Sequence, residues 1–171
     1  GLETTTVGEF YIKVLWPPQW SRDFSPVKYA AERKGLDSTS LVLQVVHGKR
    51  KILIPSGIDK DTEWELIDSA GDELKSDILI LGKQGHNSVT SLEFLNRVSP
   101  SEIIVQYGYS KGYSFNDYIL KDTFERAKKN GVLAAYRTDL SGAVTVTIKG
   151  DSYDIKPFRK GTEIMLSDDF G

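Results

Sequence analysis

The chain has 171 residues, of which 39% are hydrophobic, and its 22 basic and 24 acidic residues give a net charge of −2. This length suffices for one domain with a hydrophobic core, and the small net charge excludes strong overall attraction to nucleic acid or anionic membranes. The absence of cysteine excludes disulfides, thiolate metal sites and a cysteine nucleophile. No apolar run approaches the roughly 20 residues of a membrane span, and no signal peptide is visible, so the compartment stays unassigned.

The hydrophobic pattern predicts one domain over residues 9–158, between polar tails at 1–8 and 159–171. Its elements are a strand, a hairpin, a helix, a strand, a helix, a strand, a helix and three further strands. They cover residues 9–16, 40–47 with 50–54, 59–69, 77–81, 88–98, 102–107, 116–130, 132–137, 143–149 and 152–157. Because Met165 is the only methionine and the chain begins with glycine, we expect a processed chain or a fragment.

The order of these elements predicts an α/β (α+β) fold with a mixed β-sheet. Alternating strands and helices in the middle favour parallel strands joined by helical crossovers, whereas both ends are hairpins. The strands at 40–47, 77–81 and 102–107 are apolar at consecutive positions, so both of their faces require cover. About three helices can cover one face of the sheet. The other face requires a second layer, from a homodimer or from a missing first-half domain.

Three stretches of the sequence carry a resemblance to a known family. They are STSLVLQVVHGKRKILIPSGIDKDTEWELI, SDILILGKQGHNSVTSLEFLNRVSPSEIIVQYG and NGVLAAYRTDLSGAVTVTIKG. The most specific residues are Tyr136-Arg137-Thr138-Asp139 with Gly142 after them. Over residues 10–156 the chain resembles the later half of a metallo-β-lactamase-fold domain, of the type attached to ComEC/Rec2 DNA-uptake proteins. The resemblance implies one half of an αββα sandwich.

The resemblance also implies where a metal site would lie, and these positions hold other residues here. Members of the family bind zinc or manganese through a His-x-His-x-Asp-His cluster in the first half and through loops of the second half. The matching loops read Ser56-Gly57 instead of Gly-Asp, Lys83-Gln84-Gly85 instead of His-His-Gly, and Tyr113-Ser114-Phe115-Asn116 without a histidine. His47 and His86, the chain's two histidines, do not form a spaced ligand pair. We therefore expect no catalytic residue, no metal ligand and no cofactor.

The loop after the strand at 77–81 is a candidate anion or ligand site. It contains Gly82, Lys83, Gln84, Gly85, His86, Asn87 and Ser88. Glycine N–H groups, a lysine and the start of a helix are typical of anion sites. The simpler interpretation, which we favour, is that Asn87 or Ser88 caps the next helix and that Lys83 is solvated.

Aromatic residues in two loops form a candidate partner surface. The surface would contain Trp16, Trp20, Tyr109, Lys111, Tyr113 and Phe115. Packing within the domain explains such residues most simply, a partner or ligand surface comes second, and stacking on nucleic acid comes third.

Two further clusters have ordinary structural interpretations. Acidic residues after the first hairpin could hold a hard cation, but acids at a helix start more often complement the helix dipole. These residues are Asp59, Asp61, Glu63, Asp68 and Asp72. A Ser-His-Asp triad is conceivable around Ser56 or Ser88, but the sequence lacks the G-x-S-x-G turn that presents such a serine.

The favoured hypothesis is a non-catalytic, degenerate metallo-β-lactamase-like domain that acts as an interaction or assembly module through its uncovered sheet face. The alternative is a metal-dependent hydrolase of the nuclease or phosphodiesterase type, with zinc or manganese held mainly by another segment or chain. A nucleic-acid-binding domain that uses Lys83, Lys111 and the tyrosines is a third and weaker option.

Overall fold

The computed structural model describes residues 4–17, 37–108 and 117–166. It confirms the predicted α+β class, with a mixed sheet of eight strands, a separate hairpin and four helices. The strands are β1 (Thr4–Val7), β2 (Phe10–Trp16), β3 (Val42–His47), β4 (Arg50–Ile54), β5 (Ile78–Ile80), β6 (Glu102–Val105), β7 (Ala134–Arg137), β8 (Val144–Lys149), β9 (Ser152–Pro157) and β10 (Ile164–Met165). The helices are α1 (Lys60–Ala70), α2 (Leu92–Val98), α3 (Asp117–Lys129) and the four-residue α4 (Thr138–Ser141).

The eight-stranded sheet has the order β1-β2-β3-β4-β5-β6-β7-β10. The strands β1 to β4 are antiparallel, β4 to β7 are parallel, and β10 is antiparallel to β7. The parallel part confirms the helical crossovers predicted for the middle of the chain. The strands β8 and β9 form a hairpin of their own, outside this sheet.

Side-chain caps set the ends of the helices. The Asp59 carboxylate accepts a hydrogen bond of 2.9 Å from the Thr62 N–H at the start of α1. The Ser91 hydroxyl caps α2 by accepting 3.2 Å from the Phe94 N–H. The prediction that Asn87 or Ser88 caps this helix is therefore wrong, because the chain turns through residues 86–90 before it becomes helical. Gly131, with a φ of 84°, follows α3 in the left-handed conformation expected of a helix stop.

Both segments assigned to tails contribute a strand to the sheet. Residues 4–7 form β1, which returns along β2 after a two-residue turn at Gly8-Glu9. The two residues of β10 pair with β7, and the next residue, Leu166, is buried in the core. Neither segment has an apolar alternation of its own, so pairing with a neighbouring strand decides its conformation.

The three longer helices lie on one face of the sheet, as predicted. Alternate residues of the central strands, such as Leu53, Leu79 and Ile103, share one core with the helices. The helical members of this core are Leu66, Phe94, Leu95, Val98, Leu120 and Ala127. The sequence places Trp64, Ile67 and Leu66 on the apolar side of α1. Leu66 is buried and Ile67 packs against the core, but Trp64 is 42% exposed. Thr62 and Glu63 complete the buried side of that helix.

The other face of the sheet is aliphatic and only partly covered. Side chains of directly paired residues point to the same face, and Val45 pairs with Ile12 and Ile52. The open face, as we call it, consists of Ile12, Val14, Leu43, Val45, Ile52, Ile54 and Ile80. All seven side chains are partly exposed. The strands β2 to β5 therefore present a continuous apolar surface.

The hairpin β8–β9 lies against the neighbouring part of the same face. The Arg50 guanidinium donates 2.6 Å to the Asp151 carbonyl and stacks 5.6 Å from the centre of the Tyr153 ring. The Tyr153 hydroxyl donates to the Glu102 carboxylate. Ile78 and Ile104 are buried on this side of the sheet. The chain itself thus supplies part of the second layer that the sequence predicted.

Candidate functional site

Two loops that the sequence singled out meet where the parallel strands end. The backbone N–H of Lys83, after β5, donates 3.0 Å to the carbonyl of Ser56, after β4. A Cβ added to Gly82 would lie 3.2 Å from the same carbonyl oxygen. This edge of a parallel sheet is where α/β proteins usually place ligands. The loops after β4 and β5 are therefore neighbours in space.

Lys83 is held by an ion pair at this edge. Its ammonium lies 2.7 Å from the carboxylate of Asp37, and its side chain is 28% exposed. The interpretation of Lys83 as a solvated residue is therefore wrong, because its ammonium is held by Asp37, 46 positions earlier in the chain. A cation already held there opposes the binding of a second cation by like-charge repulsion.

The loop backbone adopts conformations that side-chain-bearing residues rarely take. Ser56, Lys83 and Gln84 have φ values of 52°, 44° and 53°, all in the left-handed region. Such residues persist only where the surroundings fix them, and they cluster at ligand sites and at tightly packed turns. Here the turn is tightly packed, because the loop is bound on one side to Ser56 and on the other to α3.

Three N–H groups of the loop, those of Lys83, His86 and Ser88, donate to acceptors within the protein. The N–H of His86 donates 3.0 Å to the Lys83 carbonyl, and the N–H of Ser88 donates 3.1 Å to Nδ1 of the His86 ring. The N–H of Lys83 is used by Ser56. Gly85 is required by packing, since a Cβ there would approach Leu120 to 2.7 Å. Local structure thus accounts for the glycines and polar residues of this loop.

The two histidines lie at opposite ends of the strands: His86 follows the end of β5, and His47, the last residue of β3, lies beside the start of β4. His86 contacts the Ser88 hydroxyl at 2.8 Å. The Nε2 of His47 lies 3.2 Å from the Glu9 carboxylate. They cannot share a metal ion. In the described parts of the chain, no three histidine, aspartate or glutamate side chains are grouped in a way that could hold a metal.

The buried Glu63 and the partly buried Arg126 hold the end of the loop, and the sequence did not indicate these contacts. The Glu63 carboxylate accepts from the N–H groups of Thr90 and Ser91, the latter at 3.0 Å. Arg126 donates to three carbonyls of the same segment, those of Asn87, Val89 and Thr90, at 3.0–3.2 Å. These partners are separated by 27 to 39 positions in the chain.

Burial raises the pKa of Glu63, and three contacts partly offset this. Hydrogen bonds from Ser91 and Thr90 and the charge of Arg126 favour the ionised carboxylate. Two other acids of the predicted cluster have separate contacts. Asp59 caps α1, and a hydrogen bond and the charge of Lys75 lower the pKa of Asp72.

The stretch that carries the family resemblance lies at the end of β7 and the start of α4, where it contacts Tyr107 after β6. The Thr138 hydroxyl accepts 2.9 Å from the N–H of Tyr107 and donates 2.8 Å to its carbonyl. Arg137 stacks on the Tyr107 ring at 4.9 Å and pairs with Asp139 through two hydrogen bonds. These contacts hold Tyr107, which precedes Tyr109, Lys111, Tyr113 and Phe115 of the candidate partner surface in the sequence.

Of the six residues of the candidate partner surface, the structure describes Trp16. Trp16 is 1% exposed, and its indole N–H donates 2.6 Å to the Ser38 carbonyl. Trp16 is therefore a core residue, which corrects its assignment to a partner surface. The other five residues of that surface, Trp20, Tyr109, Lys111, Tyr113 and Phe115, lie outside the described residues. The sequence also favours a short helix at 27–34 and Asn116 as the cap of the helix at 116–130, and residues 27–34 and Asn116 lie outside the described ones as well.

Comparison with known proteins gives one informative similarity. Over 116 residues the chain is 35% identical to the competence protein ComA of Neisseria gonorrhoeae. The match covers 67% of this chain but 16% of that protein's length. No protein-family model matches the chain. Within the described residues, no helix is long and apolar enough to cross a membrane. The chain is thus similar to one part of a much longer competence protein.

Proposed function

We propose that the chain is a non-catalytic assembly domain of a DNA-uptake-type protein, whose open face packs against another layer of protein. The observation that carries this proposal is the open face itself. Seven aliphatic side chains on four adjacent strands are partly exposed beside a hairpin that covers only the neighbouring strands. Contiguous apolar surfaces of this kind are typical of interfaces. The similarity to a competence protein supports the DNA-uptake context.

Replaced ligand positions support the non-catalytic part of the proposal. In the metallo-β-lactamase half-domain that the sequence resembles, the loops after β4 and β5 would hold metal. Here they carry Ser56, Lys83 and Gln84, and the Lys83 ammonium is paired with Asp37. A dinuclear hydrolase needs several imidazole or carboxylate ligands close together.

The first test is the metal content of the protein after incubation with zinc and manganese and removal of unbound ions. We expect far less than one ion per chain by mass spectrometry, because the site is occupied by a lysine ion pair. One bound ion per chain would contradict the proposal and favour the metal-dependent hydrolase. His47, His86 and the acidic residues after β4 would then be the first positions to substitute.

The second test addresses the open face. Val45 lies at its centre, and Val45→Lys places a charge there. Leu133→Lys is a matched control, because Leu133 is an exposed leucine outside this face. We expect only Val45→Lys to lower the fluorescence of a dye that binds apolar surfaces, at an unchanged thermal midpoint. Equal effects of the two variants would contradict a specific role of the open face.

A further inference from the structure

The strand β1 ends the sheet on the side of the N-terminus. Within the described residues it pairs only with β2, and its four residues, Thr4–Val7, are all exposed. No strand of the described residues therefore lies beside the other side of its backbone. An unpaired strand edge is a ready template for another strand.

The geometry of the turn identifies which backbone groups point outward. Val7 and Phe10 flank the two-residue turn Gly8-Glu9, in which Gly8 has a φ of 62°. In a hairpin with such a turn the closing pair exchanges both backbone hydrogen bonds, and the bonded pairs then alternate. Val7 and Thr5 therefore bond to β2. The N–H and C=O groups of Thr4 and Thr6 point away from the sheet.

Apart from its length of four residues, this edge lacks the features that usually prevent pairing. Natural edge strands are short, or carry lysine, proline or a bulge. The strand β1 has three threonines and a valine, which favour extended structure, and no charge or proline. By contrast β10, at the opposite edge, has two residues. Exposed apolar side chains also accumulate on the β1–β2 hairpin, where Val7, Phe10 and Tyr11 are 59%, 38% and 51% exposed.

We propose that β1 pairs with β1 of a second copy of this chain, antiparallel and across a two-fold axis, so that two eight-stranded sheets become continuous. The outward groups meet when Thr5 faces Thr5 of the other copy and Thr4 faces Thr6. Threonine pairs across strands are favourable, and an uncharged strand brings no like charges together when it pairs with itself. This surface is an edge of the sheet and is distinct from the open face.

The size of the contact sets the strength to be expected. Four paired residues bury less than the roughly 1,000 Å² of a stable specific interface, even with help from Val7, Phe10 and Tyr11. The dimer is therefore weak, and its population rises with protein concentration.

A proline at one position tests the pairing directly. Thr6→Pro removes an outward N–H and leaves the hydrogen bonds between β1 and β2 in place. Thr6→Val is the matched control, because it retains the N–H and the preference for extended structure. Sedimentation velocity over a wide range of concentrations measures the mass. Thermal unfolding verifies that both variants are folded.

We expect the mass of the unmodified chain and of Thr6→Val to rise toward that of a dimer, while Thr6→Pro stays a monomer with an unchanged thermal midpoint. A monomer at every concentration for the unmodified chain would overturn the inference. So would a dimer of Thr6→Pro that Val45→Lys abolishes, which would assign self-association to the open face instead. A negative result for the β1 dimer therefore does not contradict the proposed function of the open face, which Val45→Lys tests separately.

Discussion

Gly85 illustrates how packing alone can require a glycine in a loop that resembles a ligand site. Its φ of 78° is in the left-handed region, and an added Cβ would lie 2.7 Å from Leu120 Cδ2 and 3.2 Å from Val105 Cγ1. We expect Gly85→Ala to lower the free energy of unfolding by about 2–4 kcal/mol, through strain and overpacking together. Urea denaturation measures this change.

Gly108→Ala is the control for this substitution, because no atom of the described residues beyond its chain neighbours lies within 4 Å of the Cβ that it would add. It should change the free energy of unfolding by no more than about 0.5 kcal/mol. Similar changes in the free energy of unfolding at the two positions would show that the close packing of Gly85 against α3 is not the cause of the effect.

Glu63 makes the stability of the molecule depend on pH in a defined direction. Burial raises the pKa of the folded carboxyl above its ordinary value of 4.5. Between the two pKa values the folded chain holds a proton that the unfolded chain has released, so stability falls as the pH rises. We expect the carboxyl carbon of Glu63 to titrate above pH 4.5 when followed by NMR.

Urea denaturation gives a second readout of the same group. As the pH rises from 4.5 through the folded pKa, the free energy of unfolding of the unmodified chain should fall relative to that of Glu63→Gln. Parallel pH profiles for the two proteins would contradict the raised pKa. A titration midpoint at or below 4.5 would do the same.

At the level of secondary-structure elements, the hairpin β8–β9 is held to the sheet by few side chains. The Tyr153 hydroxyl donates to Glu102, and the pKa of Tyr153 is raised by burial and by this bond. Tyr153→Phe removes the donor and leaves the partly buried carboxylate without it, which costs about 1–3 kcal/mol. We expect faster amide hydrogen exchange in β8 and β9 than in the unmodified chain, with β6 unchanged.

Tyr11→Phe is the matched control for this experiment, since Tyr11 is an exposed tyrosine on β2. It should leave exchange in the hairpin as it is. Faster exchange throughout the sheet after Tyr153→Phe would show instead that the hairpin and the sheet unfold as one cooperative unit.

At the scale of the whole molecule, the sequence predicted the elements whose signals lie within their own residues. The apolar strands β5 and β6 and the turns at Gly48-Lys49 and Gly150-Asp151 are of this kind. The order of strands and helices also predicted the parallel part of the sheet. It follows that the loops after β4 and β5 are neighbours, as the structure confirms.

Contacts between distant parts of the chain explain what the sequence could not show. The pairing of Lys83 with Asp37 spans 46 positions, and the contacts of Glu63 with Thr90 and of Arg126 with Asn87 span 27 and 39. Each pairs ordinary polar residues that have no shared local pattern. Strand β1 depends in the same way on β2, since four exposed residues carry no apolar alternation.

The strand order has a kinetic consequence. From β1 to β7, every strand lies beside the strand that precedes it in the sequence. Pairing between strands that are consecutive in the sequence closes shorter loops than pairing between distant strands, and topologies with more local contacts fold faster. No strand from β2 to β7 has to insert between two that are already paired. A chain emerging from the ribosome can therefore enlarge this sheet one strand at a time, with each new strand joining the edge left by the last.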